Sequence, residues 1–229
     1  MDDDVNARLA DEYRAARQRT SAIAGELDDD QAALLVPACP DWTVADLLAH
    51  VTGLASDLGS GRRPEGDTQA WVDAQVADRR GRTPADIAAE WGDAAPAFEE
   101  MIAAKPHRWW GLVYDELVHE HDLRGAVGRP GERDGESVQV AVTLGMRLVE
   151  ADLAKHGLPA FRLVADGTER VVGDGPPELT LEATSFEALR LLGSRRTIAQ
   201  LRSADFTGDL DHYLPGLVHM DLPTVDLRE

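Results

Sequence analysis

Cysteine is almost missing: Cys39 is the one thiol among 229 residues. That excludes an internal disulfide and any metal site built from several cysteines. Positive charge is scarce as well, with 23 Lys and Arg against 42 Asp and Glu and a net charge of −19. Phosphate recognition needs a basic face, so neither nucleic acid nor an anionic membrane is expected as the main partner. No apolar run approaches the ~20 residues of a membrane span. The start, "MDDDVNARLADEYR", has neither the basic opening nor the apolar core of a signal peptide. Repeats and low-complexity stretches are lacking too. What is there, 43% hydrophobic residues, suffices for the core of one large domain or two small ones. The expectation is a soluble protein of the cytoplasm.

Helical signals fill the first half. Val5, Leu9, Tyr13, Ala16, Ile23 and Leu27 recur at a spacing compatible with one helix face, and "DDD" at 28–30 ends that helix. "VPACPDW" (36–42) reads as a proline-punctuated loop. Thr43, with Asp46 three residues on, is an N-cap signal. Val44, Leu47, Leu48, Val51, Leu54 and Leu58 form the stripe of the helix it opens, with His50 beside that stripe. A shorter helix is expected around Trp71 to Val76. Thr83 and Pro84 start another, which Pro96 should kink or break. The next helix carries "YDELVHEHDLRG" (114–125) and stops at Gly128 and Pro130. Four main helices by residue 128 predict a bundle.

The texture then changes. A fifth helix over 137–157 ends at Gly157 and Pro159. β-rich runs on either side of Asp166-Gly167 predict a hairpin, and "ELTLEAT" (178–184) a third strand. Thr184 and Glu187 form a capping-box signal for a helix that Gly193 ends. A short helix and an irregular tail follow from Arg195. The expected fold class is α+β: a helical bundle over residues 1–136, the 137–157 helix bridging, and a small α+β domain over 158–229, with the boundary either in the loop at 128–137 or just after the bridging helix.

Chemistry concentrates in "YDELVHEHDLRG". Asp115 and His119, four apart, share a helix face, and Asp122 continues it. A carboxylate and an imidazole so placed can reach one divalent ion, as two histidines do in helical zinc motifs. On that pair alone, a solvated face is the better account in so acidic a chain. His121 points away from His119 and fits packing between helices or a bond to a carboxylate. Glu116 and Glu120 read as solvated, and Arg124 either pairs with Glu120 or holds a substrate carboxylate. A third metal donor would have to come from another helix, and His50 is placed for it, although such a histidine is more often part of the core. Asp122 either accepts the other ring N–H of a ligand histidine or caps a neighbouring helix. Trp42, Trp109 and Trp110 read as core before pocket wall, and Cys39 as a small buried residue.

"VPACPDWTVADLLAHVTG" (36–53) resembles the N-terminal signature of the DinB-like, mycothiol-dependent maleylpyruvate isomerase family. "DELVHEHDLRGAVGRPG" (115–131) is similar to that family's second signature, and "SFEALRLLGSRRTIAQLRSADFTGD" (185–209) to its C-terminal segment. The resemblance implies a DinB-like four-helix bundle that carries a divalent metal, usually zinc, followed by a small α+β domain. It puts the metal ligands on His50, Asp115 and His119, with aspartate standing where the isomerase has glutamate. Arg195 falls at the arginine of a "GR" element, behind Gly193-Ser194 instead of the usual order, and would contact substrate or thiol.

A metal site with three protein ligands keeps a position open, and a cation there favours the thiolate of a small thiol such as mycothiol. The activity implied is isomerisation or S-transfer on a small electrophile. Two alternatives stand beside it: a non-catalytic metal- or small-molecule-binding protein with the same fold, and a metal-free bundle in which these residues form a buried polar network.

Overall fold

The computed structural model describes residues 2–229 and divides into two compact units, one ending at Arg129 and the other beginning at Pro130. The first unit runs α1 (Asp2–Ala24), α2 (Asp29–Ala32), β1 (Leu35–Val36), β2 (Cys39–Thr43), α3 (Val44–Gly59), α4 (Thr68–Ala77), α5 (Pro84–Ala104) and α6 (Pro106–Ala126). The four long helices form a bundle, with α1 packed on α5 and α6, and α3 on the same two. Leu9, Leu47, Leu48, Phe98 and Ile102 are fully enclosed in it. Trp91 Nε1 donates to the Tyr13 hydroxyl at 2.9 Å, so the buried indole N–H is satisfied.

Local chemistry sets where these helices begin. Thr43 Oγ1 accepts the Asp46 N–H at 3.1 Å, and Asp46 Oδ2 accepts the Thr43 N–H at 2.9 Å. This reciprocal box fixes the start of α3 and therefore the direction in which His50 leaves it. Thr83 caps α5 with its side chain alone, accepting from the Asp86 N–H, with Pro84 in the first turn.

Three features of this unit differ from the sequence expectations. The "DDD" run opens α2 as well as following α1, because Asp28 and Gln31 cap it reciprocally. "VPACPDW" forms most of an antiparallel ladder, Leu35 against Thr43 and Val36 against Cys39. A two-stranded ladder leaves strand edges unpaired, so Pro40 fits without an N–H to donate. Finally, α5 runs unbroken through Pro96. Burial of Trp91, Ala95 and Phe98 on either side holds the helix together where the proline removes a hydrogen bond.

The second unit comprises α7 (Glu136–His156), β3 (Phe161–Ala165), β4 (Thr168–Val172), β5 (Leu179–Ala183), α8 (Ser185–Leu192), α9 (Ile198–Ser203), β6 (Asp205–Thr207) and α10 (Leu210–Leu217). Its sheet has the order β4-β3-β5-β6. The β3–β4 hairpin turns on Asp166 and Gly167, whose φ values of 47° and 77° suit a tight turn of the kind favoured between antiparallel strands. β5 joins β3 in parallel and β6 joins β5 antiparallel. Helix α7, read from the sequence as a bridge, packs on α8, α10 and β4 of this unit.

The expected irregular tail contains β6 and α10. Three residues of strand are too few to show alternation, and Pro215 lies inside α10. At the end of α8 the left-handed residue is Ser194, with φ 58°, while Gly193 stays at −83°. Glu187 gives only its backbone N–H to the Thr184 cap. Its carboxylate accepts two bonds from Arg196 at 2.8 Å instead. Among the described residues, no helix is long and apolar enough to cross a membrane.

Candidate metal centre

Helix α3 contributes His50 and α6 contributes Asp115 and His119. Both histidines are buried, at 6% and 4% exposure, whereas the Asp115 side chain keeps 34% of its surface accessible. His50 Nε2 lies 3.4 Å from Asp115 Oδ2, and His119 Nε2 lies 3.4 Å from Asp115 Oδ1. Donor atoms of the three residues all fall within 4.8 Å of one another. Ligand atoms bound at about 2.0–2.1 Å around a tetrahedral ion stand roughly 3.4 Å apart, so the spacing suits a zinc-sized cation. Asp115 Oδ2 is enclosed and takes no hydrogen bond. An enclosed oxygen without a hydrogen bond, facing an imidazole nitrogen at 3.4 Å, is an arrangement a divalent cation satisfies.

The electrostatics agree with the geometry. Burial pushes the Asp115 carboxyl up, but the His119 and His50 imidazoles beside it outweigh that effect and hold the group well below the usual carboxylate range. Burial pushes His119 down, and against it Asp115, Asp122 and Cys39 raise the imidazole well above its ordinary value. Without a cation the site therefore keeps a proton on His119. Metal binding has to displace it from Nε2.

Asp122 sits behind His119. Its side chain is fully buried, and Oδ2 lies 3.0 Å from His119 Nδ1. A carboxylate only accepts, so the shared proton belongs to Nδ1, and Nε2 is the nitrogen that faces Asp115. Cys39 Sγ donates to the same Oδ2 at 3.7 Å. Cys39, His119 and Asp122 thus make a second cluster with donor atoms close enough for a cation, but hydrogen bonds already link its atoms. The cluster of His50, Asp115 and His119 has an unsatisfied oxygen and is the stronger candidate.

Several side chains stand elsewhere than the sequence suggested. Trp42 is a wall of the site, its ring 4.9 Å from that of His50 and 5.9 Å from that of His119. Cys39 is half-buried beside the ligands, not simply a core residue. Glu116 and Glu120 are buried, not solvated: Glu116 accepts from Thr20 Oγ1 at 3.0 Å, and Glu120 is gripped by Arg19 at 2.6 and 2.8 Å. Arg124 bonds Glu120 at 3.0 Å. His121 is buried outside both clusters. Trp109 is flanked by Arg63 and Arg108 and meets the edge of Phe98. Arg195 is buried in the second unit, where Nη1 donates to the Gly193 carbonyl at 2.9 Å. For Trp42 and Cys39 a usable signal was present: both precede the Thr43 cap by a few residues, on the segment that leads into the His50 helix.

Comparison with known proteins bears on both units. The sequence profile of the family described as mycothiol maleylpyruvate isomerase N-terminal domain matches residues 13–129, a segment that ends where the first unit ends. The fold is similar to the crystal structure of the mycothiol-dependent maleylpyruvate isomerase, with a TM-score of 0.60 at 14% identity. It is equally similar to a histidine-to-alanine mutant of that enzyme, at 0.61 and 13%. Each superposition covers 83% of this chain and 89% of the other. No curated protein sequence matches the chain.

Proposed function

The chain belongs to the mycothiol maleylpyruvate isomerase N-terminal domain family, and on that premise we propose that it is a divalent-metal-dependent enzyme working with a small thiol. The thiol is mycothiol or a close analogue, and the reaction is isomerisation of, or S-transfer to, a small electrophile. The observation that carries the proposal is the convergence of His50 Nε2, His119 Nε2 and the Asp115 carboxylate, with Oδ2 of Asp115 left without a hydrogen bond. Two imidazoles and one carboxylate suit zinc. A bound cation there would supply the positive charge that keeps a thiol ionised near neutral pH.

The chain's own residues account for the rest. Asp122 accepts the His119 Nδ1–H, so Nε2 is the nitrogen turned toward an ion once its own proton is displaced. The accessible side of Asp115 is where a small molecule would enter, and the Trp42 ring packs against the His50 imidazole. In the isomerisation, a thiolate adds to a cis-enoate to give an enolate adduct, the former double bond turns as a single bond, and expulsion of the thiolate from the rotated adduct re-forms the double bond as trans. No atom is gained or lost. Arg195 is assigned, by resemblance, a contact to the substrate or thiol.

The test is an assay of metal-free and zinc-reconstituted protein with mycothiol and a cis-enoate such as maleylpyruvate. Turnover is expected only when both metal and thiol are present, and Arg195→Ala is expected to lower it with metal content unchanged. Failure of mycothiol, other small thiols and water alike would leave a metal- or small-molecule-binding protein as the better account.

A further inference from the structure

Given the metal reading above, on which this rests, we infer that strand β2 is a positioning strap for both candidate ligand imidazoles, acting through Cys39 on one and Trp42 on the other. A ligand imidazole needs its ring plane fixed, usually by a hydrogen bond from its second nitrogen. His119 has that bond, from Nδ1 to Asp122 Oδ2 at 3.0 Å. Asp122 must itself be held, and Cys39 S–H donates to the same oxygen at 3.7 Å. Cys39 also stands beside His119 itself, so it acts on that ring both directly and through Asp122.

His50 lacks such support. Its Nδ1 is enclosed and has no hydrogen-bond partner among the described residues. What it has is Trp42, whose ring is tilted 42° to the imidazole at 4.9 Å and also reaches His119 at 5.9 Å. Packing replaces the missing hydrogen bond in fixing the His50 plane.

In a regular strand, residues three apart point to opposite faces. Cys39 and Trp42 both reach the site because the ladder is irregular: adjacent Leu35 and Val36 pair with Thr43 and Cys39, leaving surplus residues on β2. Such a bulge re-aims side chains, and bulges recur beside functional sites. The hairpin that "VPACPDW" forms is thus shaped to bring one donor and one ring onto two histidines of different helices.

The experiment uses the whole chain without metal, labelled with 15N-histidine, and follows the two imidazoles by NMR. Variants are Cys39→Ala, Cys39→Ser, Trp42→Leu and Trp42→Phe, with circular dichroism to check folding. The His119 Nδ1–H proton should be protected from exchange, roughly ten-fold less so in Cys39→Ala, and largely restored in Cys39→Ser, whose hydroxyl also donates. Trp42→Leu should move the His50 resonances while Trp42→Phe largely keeps them. Cobalt titration should then show weaker binding and an altered visible spectrum in the Ala and Leu variants only. Imidazole signals identical in all five proteins would overturn the inference, as would equal losses in Cys39→Ser and Cys39→Ala. Absence of cobalt binding by the parent protein would sink the metal reading instead, and the metal-free spectra would still decide whether β2 orients the rings.

Discussion

Each candidate ligand has a distinguishable neighbourhood. His50, Asp115 and His119 face one another, while His121, two residues from His119, is buried outside the cluster. Changing any of the three to alanine should abolish stoichiometric zinc, with an affinity loss of at least 100-fold, because two donors rarely hold the ion. His121→Ala should retain it. Metal analysis after equilibrium dialysis, free of affinity-tag nickel, makes the comparison, and equal loss in all four variants would mean the wrong face of α6 was chosen. The helical spacing of Asp115 and His119 was legible in the sequence, as was His50 beside an apolar stripe, and the resemblance then singled His50 out as a ligand candidate. Burial of Glu116 and Glu120 was not. Their partners Thr20 and Arg19 lie 96 and 101 residues away on α1, and no local pattern reveals that a second helix covers an acidic face.

Elements declare themselves when their signals are local. The Thr43–Asp46 box, the Thr83-Pro84 start and the Asp166-Gly167 turn could all be read from a few neighbouring residues, and the helices and hairpin formed there. The β1–β2 ladder could not, since its two prolines argue for a loop until the partner strand is known. Ties between elements are likewise invisible in the sequence, and Glu90 of α5 is one. It pairs with Arg79 and Arg82, which follow α4. Burial raises the Glu90 carboxyl, but the two guanidinium groups outweigh it and the net shift is downward from 4.5. A lowered folded pKa stabilises the protein above the unfolded pKa, and that contribution disappears as pH falls through the folded value. Glu90→Gln should therefore cost about 1 kcal/mol at pH 7, with a gap to the parent that closes under acid conditions. Urea unfolding across that range measures it, and a gap independent of pH would assign the loss to packing.

At the scale of the molecule, the candidate ligands His50, Asp115 and His119 and the side chains around them belong to the unit that ends at Arg129, while Arg195 belongs to the other. The change from helical to mixed texture was legible in the sequence. Which unit α7 belongs to stayed open between two boundaries in the sequence, because an amphipathic helix does not announce which core its apolar face enters. The central claim is that His50, Asp115 and His119 hold one cation with room for an incoming thiol. X-ray absorption at the zinc edge of the zinc-loaded chain, before and after mycothiol is added, tests it most directly. The account predicts nitrogen and oxygen donors alone at about 2.0 Å before addition, two of them imidazole, and one sulfur at about 2.3 Å afterwards. Sulfur at the ion before any thiol is added would put Cys39, with His119 and Asp122, on the metal, and no sulfur after addition would remove the thiol from the chemistry; either result would contradict the account.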